Sequence, residues 1–176
     1  MAIEVELKAW IEDPEKMRQT LRQQALFVRD FDKRDIYFAR PGGERSLFRV
    51  RRDGDETEIT YKRKERRNGI EINREHEFHL QDFMEFVGFC DYLGYIKSVE
   101  KHKSGQQFKM QEATVELCFV EGLGWFIEIE YLLDSERKVD AAVKRLEQLL
   151  KELGVDRSRI EPRYYTDMLM QQESEE

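Results

Sequence analysis

The residues best suited to chemistry in this 176-residue sequence are two glutamate pairs at strand spacing. One is Glu4-Val5-Glu6-Leu7-Lys8 near the N-terminus and the other is Glu128-Ile129-Glu130, far downstream. Successive strand residues point to opposite faces, so Glu4, Glu6 and Lys8 share one face while Ile3, Val5 and Leu7 share the other. Glu128 and Glu130 are opposed in the same way by Ile129 and Tyr131. If both strands lie on one surface, four carboxylates converge, and carboxylate oxygens are the ligands that hard divalent cations prefer.

A cationic counterpart lies between the two pairs. Leu47-Phe48-Arg49-Val50-Arg51 and Thr60-Tyr61-Lys62-Arg63-Lys64 read as strands, with Arg49 and Arg51 on one face and Lys62 and Lys64 on another. For any single strand, alternating charge is the ordinary solvated face of an antiparallel sheet. Here several strands carry charged faces of both signs, and their opposite faces are apolar enough to be covered by helices. Closing such a sheet gives a barrel with a charged lumen, a place for a polyanion and its metal ions.

The elements that must position these residues follow from local signals. Asp13-Pro14 predicts an N-cap and first helical residue, with Met17, Leu21 and Ala25 at helical spacing, so a helix spans about 14–24. Strands are expected around 33–38, 46–52 and 56–64, separated by the turn signals Pro41-Gly42-Gly43 and Asp53-Gly54. Asn68-Gly69 opens another strand, 70–80, whose Glu71, Asn73, Glu75 and Glu77 form a polar face. Asp82 caps a second helix with an aromatic stripe, ended by Gly94; strands resume at 95–103 and 112–119, and Gly122-Leu123-Gly124 turns into 126–131. Ser135 caps a third helix, 136–153, with Val139, Ala142, Val143, Leu146, Leu149 and Leu150 on one side. An exposed strip on that helix offers a surface for a homodimer. Residues 1–170 read as a single domain, and residues 171–176, lacking apolar content, read as a disordered tail.

Bulk properties narrow the classes. A net charge of -7 with 38% charged residues argues against nucleic acid as a partner, so any anion must be held by a local basic cluster. Cys90 and Cys118 are too few for a disulfide framework, and the first ten residues are too charged for a signal peptide, which predicts a cytoplasmic location. No apolar run approaches the roughly 20 residues needed to span a bilayer, so no membrane partner is expected. His76, His79 and His102 share no zinc-ligand spacing with the cysteines, Ser46 and Ser104 show no triad, and Pro41-Gly42-Gly43 lacks the rest of a phosphate-binding loop.

Glu4-x-Glu6-x-Lys8, Asp35-x-Tyr37, Arg49-x-Arg51, Lys62, Arg74-Glu75-x-Glu77, Lys101-x-Lys103, Gly122-Leu123-Gly124 and Glu128-x-Glu130 occur in one order along the chain. That ordered set resembles the CYTH superfamily, which includes class IV adenylyl cyclases of the CyaB type and thiamine triphosphatases among the triphosphate tunnel metalloenzymes. The resemblance runs to Arg163-x-Tyr165-x-Asp167-x-Leu169. It implies an α+β fold, an eight-stranded antiparallel β-barrel forming a triphosphate tunnel with helices packed outside. It also implies a triphosphate or nucleotide substrate held with Mg2+ or Mn2+. By resemblance, Glu4, Glu6, Glu128 and Glu130 match metal-binding positions. Lys8, Arg49, Arg51, Lys62, Arg74, Lys101 and Lys103 match phosphate-binding ones, with Lys8, Arg49 and Lys62 as catalytic candidates. Where the family carries an aspartate before the last glutamate pair, this chain has Cys118, and Glu116, two residues earlier on the same face, is the candidate substitute ligand.

Three readings follow. A CyaB-like adenylyl cyclase would turn ATP into cyclic AMP and pyrophosphate by attack of the ribose 3′-hydroxyl on the α-phosphorus; the Leu-Gly-Trp-Phe-Ile-Glu-Ile-Glu ending favours this branch. A phosphohydrolase would direct water at the γ-phosphorus of thiamine triphosphate or tripolyphosphate. A non-catalytic triphosphate- or nucleotide-binding domain is the reading that Cys118 motivates.

Overall fold

In the computed structural model, which describes residues 2–43 and 46–175, eight antiparallel strands close into a barrel. The strands are β1 (Ala2–Trp10), β2 (Leu26–Ala39), β3 (Phe48–Asp53), β4 (Glu56–Arg67), β5 (Ile70–Leu80), β6 (Ile96–Met110), β7 (Ala113–Val120) and β8 (Gly124–Leu133). Around the barrel their order is β1-β5-β4-β3-β2-β6-β7-β8, so β1 lies between β5 and β8 and brings the two glutamate pairs side by side. Four helices lie outside: α1 (Pro14–Gln24), α2 (Phe83–Tyr92), α3 (Val139–Glu152) and α4 (Tyr165–Glu175).

Alternation along each strand sorts side chains into lumen and exterior. Ile3, Val5, Leu7 and Ala9 of β1 are buried outward with Ile70, Ile72, Ile127 and Ile129, beneath Met17 and Leu21 of α1 and Leu146, Leu149 and Leu150 of α3. Each fully buried aliphatic side chain in this layer contributes about 1.5–3 kcal/mol. A second outward cluster, Ile36, Phe38, Val50 and Ile59, packs under Val87 and Cys90 of α2. A third cluster, made of Phe31, Cys118, Val120, Phe126, Tyr165 and Met168, fills part of the barrel interior beside α4. Phe126, Cys118 and Phe31 are in phase with lumen residues, so the interior carries an apolar plug at this end and a charged cavity beyond it.

Local chemistry explains the boundaries. The Asp13 side chain accepts from the Lys16 amide and the Asp82 side chain from the Glu85 amide, as N-caps do. Asn68 and Gly69 both have positive φ, 53° and 84°, as the tight β4–β5 hairpin requires. Gly105 has a different reason. A Cβ built there would lie 2.2 Å from the Leu117 carbonyl oxygen, so β6 and β7 approach too closely for any side chain.

Several expectations are corrected. β2 and β6 are much longer than predicted, because Leu26–Phe31 pairs with Gly105–Lys109 even though this part of β2 is mostly exposed and carries no apolar alternation. The third helix begins at Val139, after a 3-10 turn at Glu136–Lys138. Residues 171–175, expected to be a disordered tail, continue α4, which is anchored at its start by Tyr165 and Met168 in the plug; residue 176 lies outside the described residues. Among the described residues no helix is long and apolar enough to cross a membrane.

Candidate active site in the barrel lumen

The lumen encloses a charged cavity of about 210 Å³. Its acidic wall is built by the registers of three strands. Glu4 lies opposite Asn73 of β5 and Leu132 of β8, Glu6 opposite Glu71 and Glu130, and Lys8 opposite Glu128. Glu4, Glu6 and Glu130 each present a carboxylate oxygen within 4.8 Å of the others. Like charges directly across strands repel, so such a wall calls for a cation. Burial pushes the Glu6 carboxyl well above its usual range, with Glu128, Glu4 and Glu71 adding to the shift. Burial likewise raises Glu130 to about 8, helped by the charges of Glu4 and Glu116. Glu4 goes the other way. Although its burial pushes it up, the Lys62 ammonium and the Asn73 amide bring it down to about 2.

The other two predicted metal-ligand candidates line the cavity but stand outside this cluster. Glu116 accepts from Lys33 Nζ at 2.6 Å and from Lys103 Nζ at 2.8 Å, and Glu128 accepts from Lys103 Nζ at 2.5 Å. Opposing the effect of their own burial, these ammonium groups hold Glu116 at about 2 and Glu128 lower still. Glu116 therefore sits as an ion-pair partner of two lysines. Cys118 faces inward below the cavity floor, in the apolar plug, with Sγ 3.7 Å from Glu128 Oε1.

The basic wall comes from β2, β3, β4 and β6. Arg51 donates twice to Asp35, Nε to Oδ1 at 2.7 Å and Nη2 to Oδ2 at 2.9 Å, and Lys101 Nζ lies 3.1 Å from Asp35 Oδ2. Arg49 donates from Nη2 to Glu58 at 3.0 Å and to the Thr60 hydroxyl at 2.6 Å, while its Nε is buried with no hydrogen-bond partner. Lys62 bridges Glu4 at 3.2 Å and Glu75 at 2.6 Å. Lys8 lies deeper, paired with Glu71 and 5.1 Å from the centre of the Tyr165 ring. Lys64 faces the Tyr164 ring, its Nζ 4.1 Å from the centroid, and burial lowers its pKa.

Arg74 is the predicted phosphate-binding residue that the barrel excludes. It follows Asn73 on β5 and so points outward, where it pairs with Glu136 at 2.6 Å and with Glu65 at 3.7 Å. The remaining predicted residues all face the lumen. Among the residues given no role from sequence are Lys33, Asp35, Glu71, Asn73 and Glu75. All but Asp35 and Asn73 border the cavity, and these two lie buried behind its wall. Their signal was present in part, since Lys33 and Asp35 alternate in phase with Tyr37, and Glu71, Asn73 and Glu75 share the polar face of β5. The histidines are peripheral, as expected: His102 sits outside the barrel between Asp32 and Glu121.

The geometry offers three carboxylates for a hard cation and a ring of ammonium and guanidinium donors for a polyanion, joined in one cavity. A family model described as the CYTH domain matches residues 2–165. A Methanocaldococcus jannaschii protein named "Putative adenylate cyclase" is 24% identical over 173 residues, covering 94% of this chain and 98% of that protein. The structure of a conserved hypothetical protein from Pyrococcus furiosus superposes with a TM-score of 0.82 at 30% identity, covering 93% of this chain and 98% of that one. A Hippeastrum protein, described as a "Putative adenylyl cyclase" with a dominant triphosphatase activity, shares the fold with a TM-score of 0.62 at 16% identity, covering 88% of this chain and 89% of that one. With the family model spanning nearly its whole length and the eight-stranded barrel behind it, this chain belongs to the CYTH domain family.

Proposed function

We propose that this protein is a divalent-metal-dependent enzyme acting on an organic triphosphate, with conversion of ATP to cyclic AMP and pyrophosphate as its reaction. The observation that carries the reading is the convergence of Glu4, Glu6 and Glu130 within 4.8 Å inside a lumen that also presents Lys33, Arg49, Arg51, Lys62, Lys64, Lys101 and Lys103. Glu6 and Glu130 enter no ion pair among the described residues, so the donor set fits Mg2+ or Mn2+. When bound there, the ion would supply charge neutralisation and Lewis-acid polarisation at the triphosphate.

The chain's own residues bind and orient. Arg49 has a buried Nε free to donate to a phosphate oxygen, and Lys64 carries a charge with no carboxylate beside it in the ion pairs described. Lys62, Arg51, Lys101 and Lys103 already hold carboxylates, so a triphosphate enters by exchanging those contacts for phosphate oxygens. Such a cage positions the phosphates and absorbs developing charge, which is most of what phosphoryl chemistry asks of a protein. The plug of Phe31, Phe126 and Tyr165 keeps water from reaching the cavity through that part of the interior.

Hydrolysis is the second reading, favoured by the triphosphatase activity named for the Hippeastrum neighbour. A binding-only role is the third, motivated by Cys118 standing where the resembling family carries an aspartate. Phosphorus NMR of the protein with ATP and Mn2+, beside a Glu4→Ala control, separates them. Pyrophosphate from wild type alone establishes the cyclase reaction, and orthophosphate with ADP establishes hydrolysis. Intact ATP with measurable nucleotide binding leaves the binding role.

A further inference from the structure

Asn73 is fully buried on β5, opposite Glu4 of β1 and Lys64 of β4. Its Nδ2 donates to Glu4 Oε1 at 2.9 Å and reaches Glu71 Oε2 at 3.4 Å. Exchanging the amide nitrogen and oxygen would set three acceptors against one another, so the orientation is determined by its neighbours. The amide oxygen, Oδ1, is buried with no hydrogen-bond partner. A buried acceptor left without a donor is costly, and a ligand that brings a donor removes that cost.

Asn73 differs in kind from the other groups that hold lumen carboxylates. Glu116 and Glu128 are held by ammonium groups, which fix a carboxylate and cancel its charge together. An amide fixes without cancelling. Glu4 shares the Lys62 ammonium with Glu75 and takes its other side-chain bond from the Asn73 amide, with Glu6 and Glu130 beside it.

We propose that Asn73 is a positioning residue of the divalent-cation site: its amide nitrogen holds Glu4, and Glu71 beside it, without adding charge to the Lys62 and Lys8 ion pairs those carboxylates already make, and its Oδ1 would accept from a water carried by a bound ion. The inference rests on reading Glu4, Glu6 and Glu130 as that site. Small hard cations keep several of their waters when bound, so a donor for Oδ1 arrives with the ion. Groups that orient metal ligands in this way change affinity by about 10–100-fold when removed.

The test is Mn2+ titration of the full chain by electron paramagnetic resonance, which reads loss of the free-ion signal, together with thermal melting in chelator. Wild type, Asn73→Leu and Asn73→Ala are compared, the alanine variant removing atoms without adding any. The expected result is that the variants melt cooperatively without metal and bind Mn2+ about 10–100-fold more weakly than wild type. A purely structural role would lower the metal-free melting temperature and leave the Mn2+ affinity of the folded protein within about twofold of wild type, which overturns the proposal. Loss of cooperative melting in both variants makes Asn73 a folding residue and overturns it as well. Failure of wild type to bind Mn2+ overturns the metal-site reading itself, and the role of Asn73 falls with it.

Discussion

Glu6 and Glu130 lie directly opposite each other on β1 and β8, inside the barrel, and neither enters an ion pair among the described residues. In the metal-free protein the pair stores repulsion, released either by a proton or by a cation. Four expectations follow from this arrangement and its surroundings.

The metal-free protein loses stability as pH rises. Glu130 moves from 4.5 to about 8 on folding, and Glu6 rises well above 4.5. A carboxyl raised on folding binds more protons folded than unfolded, so its cost is absent below about pH 4.5, grows upward, and is complete once pH passes about 8. Mg2+ or Mn2+ replaces the proton, so the metal-induced rise in melting temperature should be larger near pH 8 than near pH 6. Thermal melts with and without metal at both values check it; an equal rise counts against a cation between these carboxylates.

Glu6→Gln separates affinity from stability. Removing one of the opposed charges should raise the metal-free melting temperature and weaken Mn2+ binding at least about tenfold. Calorimetric titration beside a melting curve reads both. Weaker binding together with a lower metal-free melting temperature would show that Glu6 serves the fold.

Lys62→Ala and Arg74→Ala should part company. Lys62 bridges Glu4 and Glu75 in the cavity, so its loss should lower kcat/KM by about 10²–10³. It also leaves Glu75, which burial already raises to about 7, without its nearest cation. Arg74 lies outside with Glu136, so its alanine variant should keep activity and change stability by no more than about 0.5 kcal/mol. Steady-state kinetics with chemical denaturation decides whether the outward placement of Arg74 holds in solution.

Two substitutions on neighbouring strands should destabilise for different reasons. Cys118→Asp places a carboxylate in the apolar plug near Glu128, which should cost about 1–3 kcal/mol without raising turnover. Gly105→Ala drives a methyl into the Leu117 carbonyl, 2.2 Å away, and overpacking of that kind costs about 1–3 kcal/mol. Urea unfolding measures both. Higher turnover in the Cys118→Asp protein would instead mark Cys118 as a lost ligand.

Much of the site was legible because strand alternation is local. Glu4, Glu6 and Lys8 needed only period two to share a face, as did Arg49 with Arg51 and Glu128 with Glu130. Long-range order was legible by resemblance to the CYTH superfamily, and the closed eight-stranded barrel agrees with it. Where alternation was weak, the reading stopped short. The exposed first half of β2 has no apolar period and is held by pairing with β6, and the closing residues of α4 are polar but extend a helix anchored by Tyr165 and Met168.

By itself, then, the sequence determined which side chains would share a face, which helices would cover the oily side, and that carboxylates and cations would meet in one lumen. Only the tertiary structure decided who meets whom. Arg74 lost its role by one residue of phase, since every second side chain leaves the barrel. Glu116 and Glu128 were drawn to Lys33 and Lys103, leaving Glu4, Glu6 and Glu130 together. The physical reason is that pairing of buried charge depends on distances of a few ångströms across strands far apart in sequence, and strand register sets those distances.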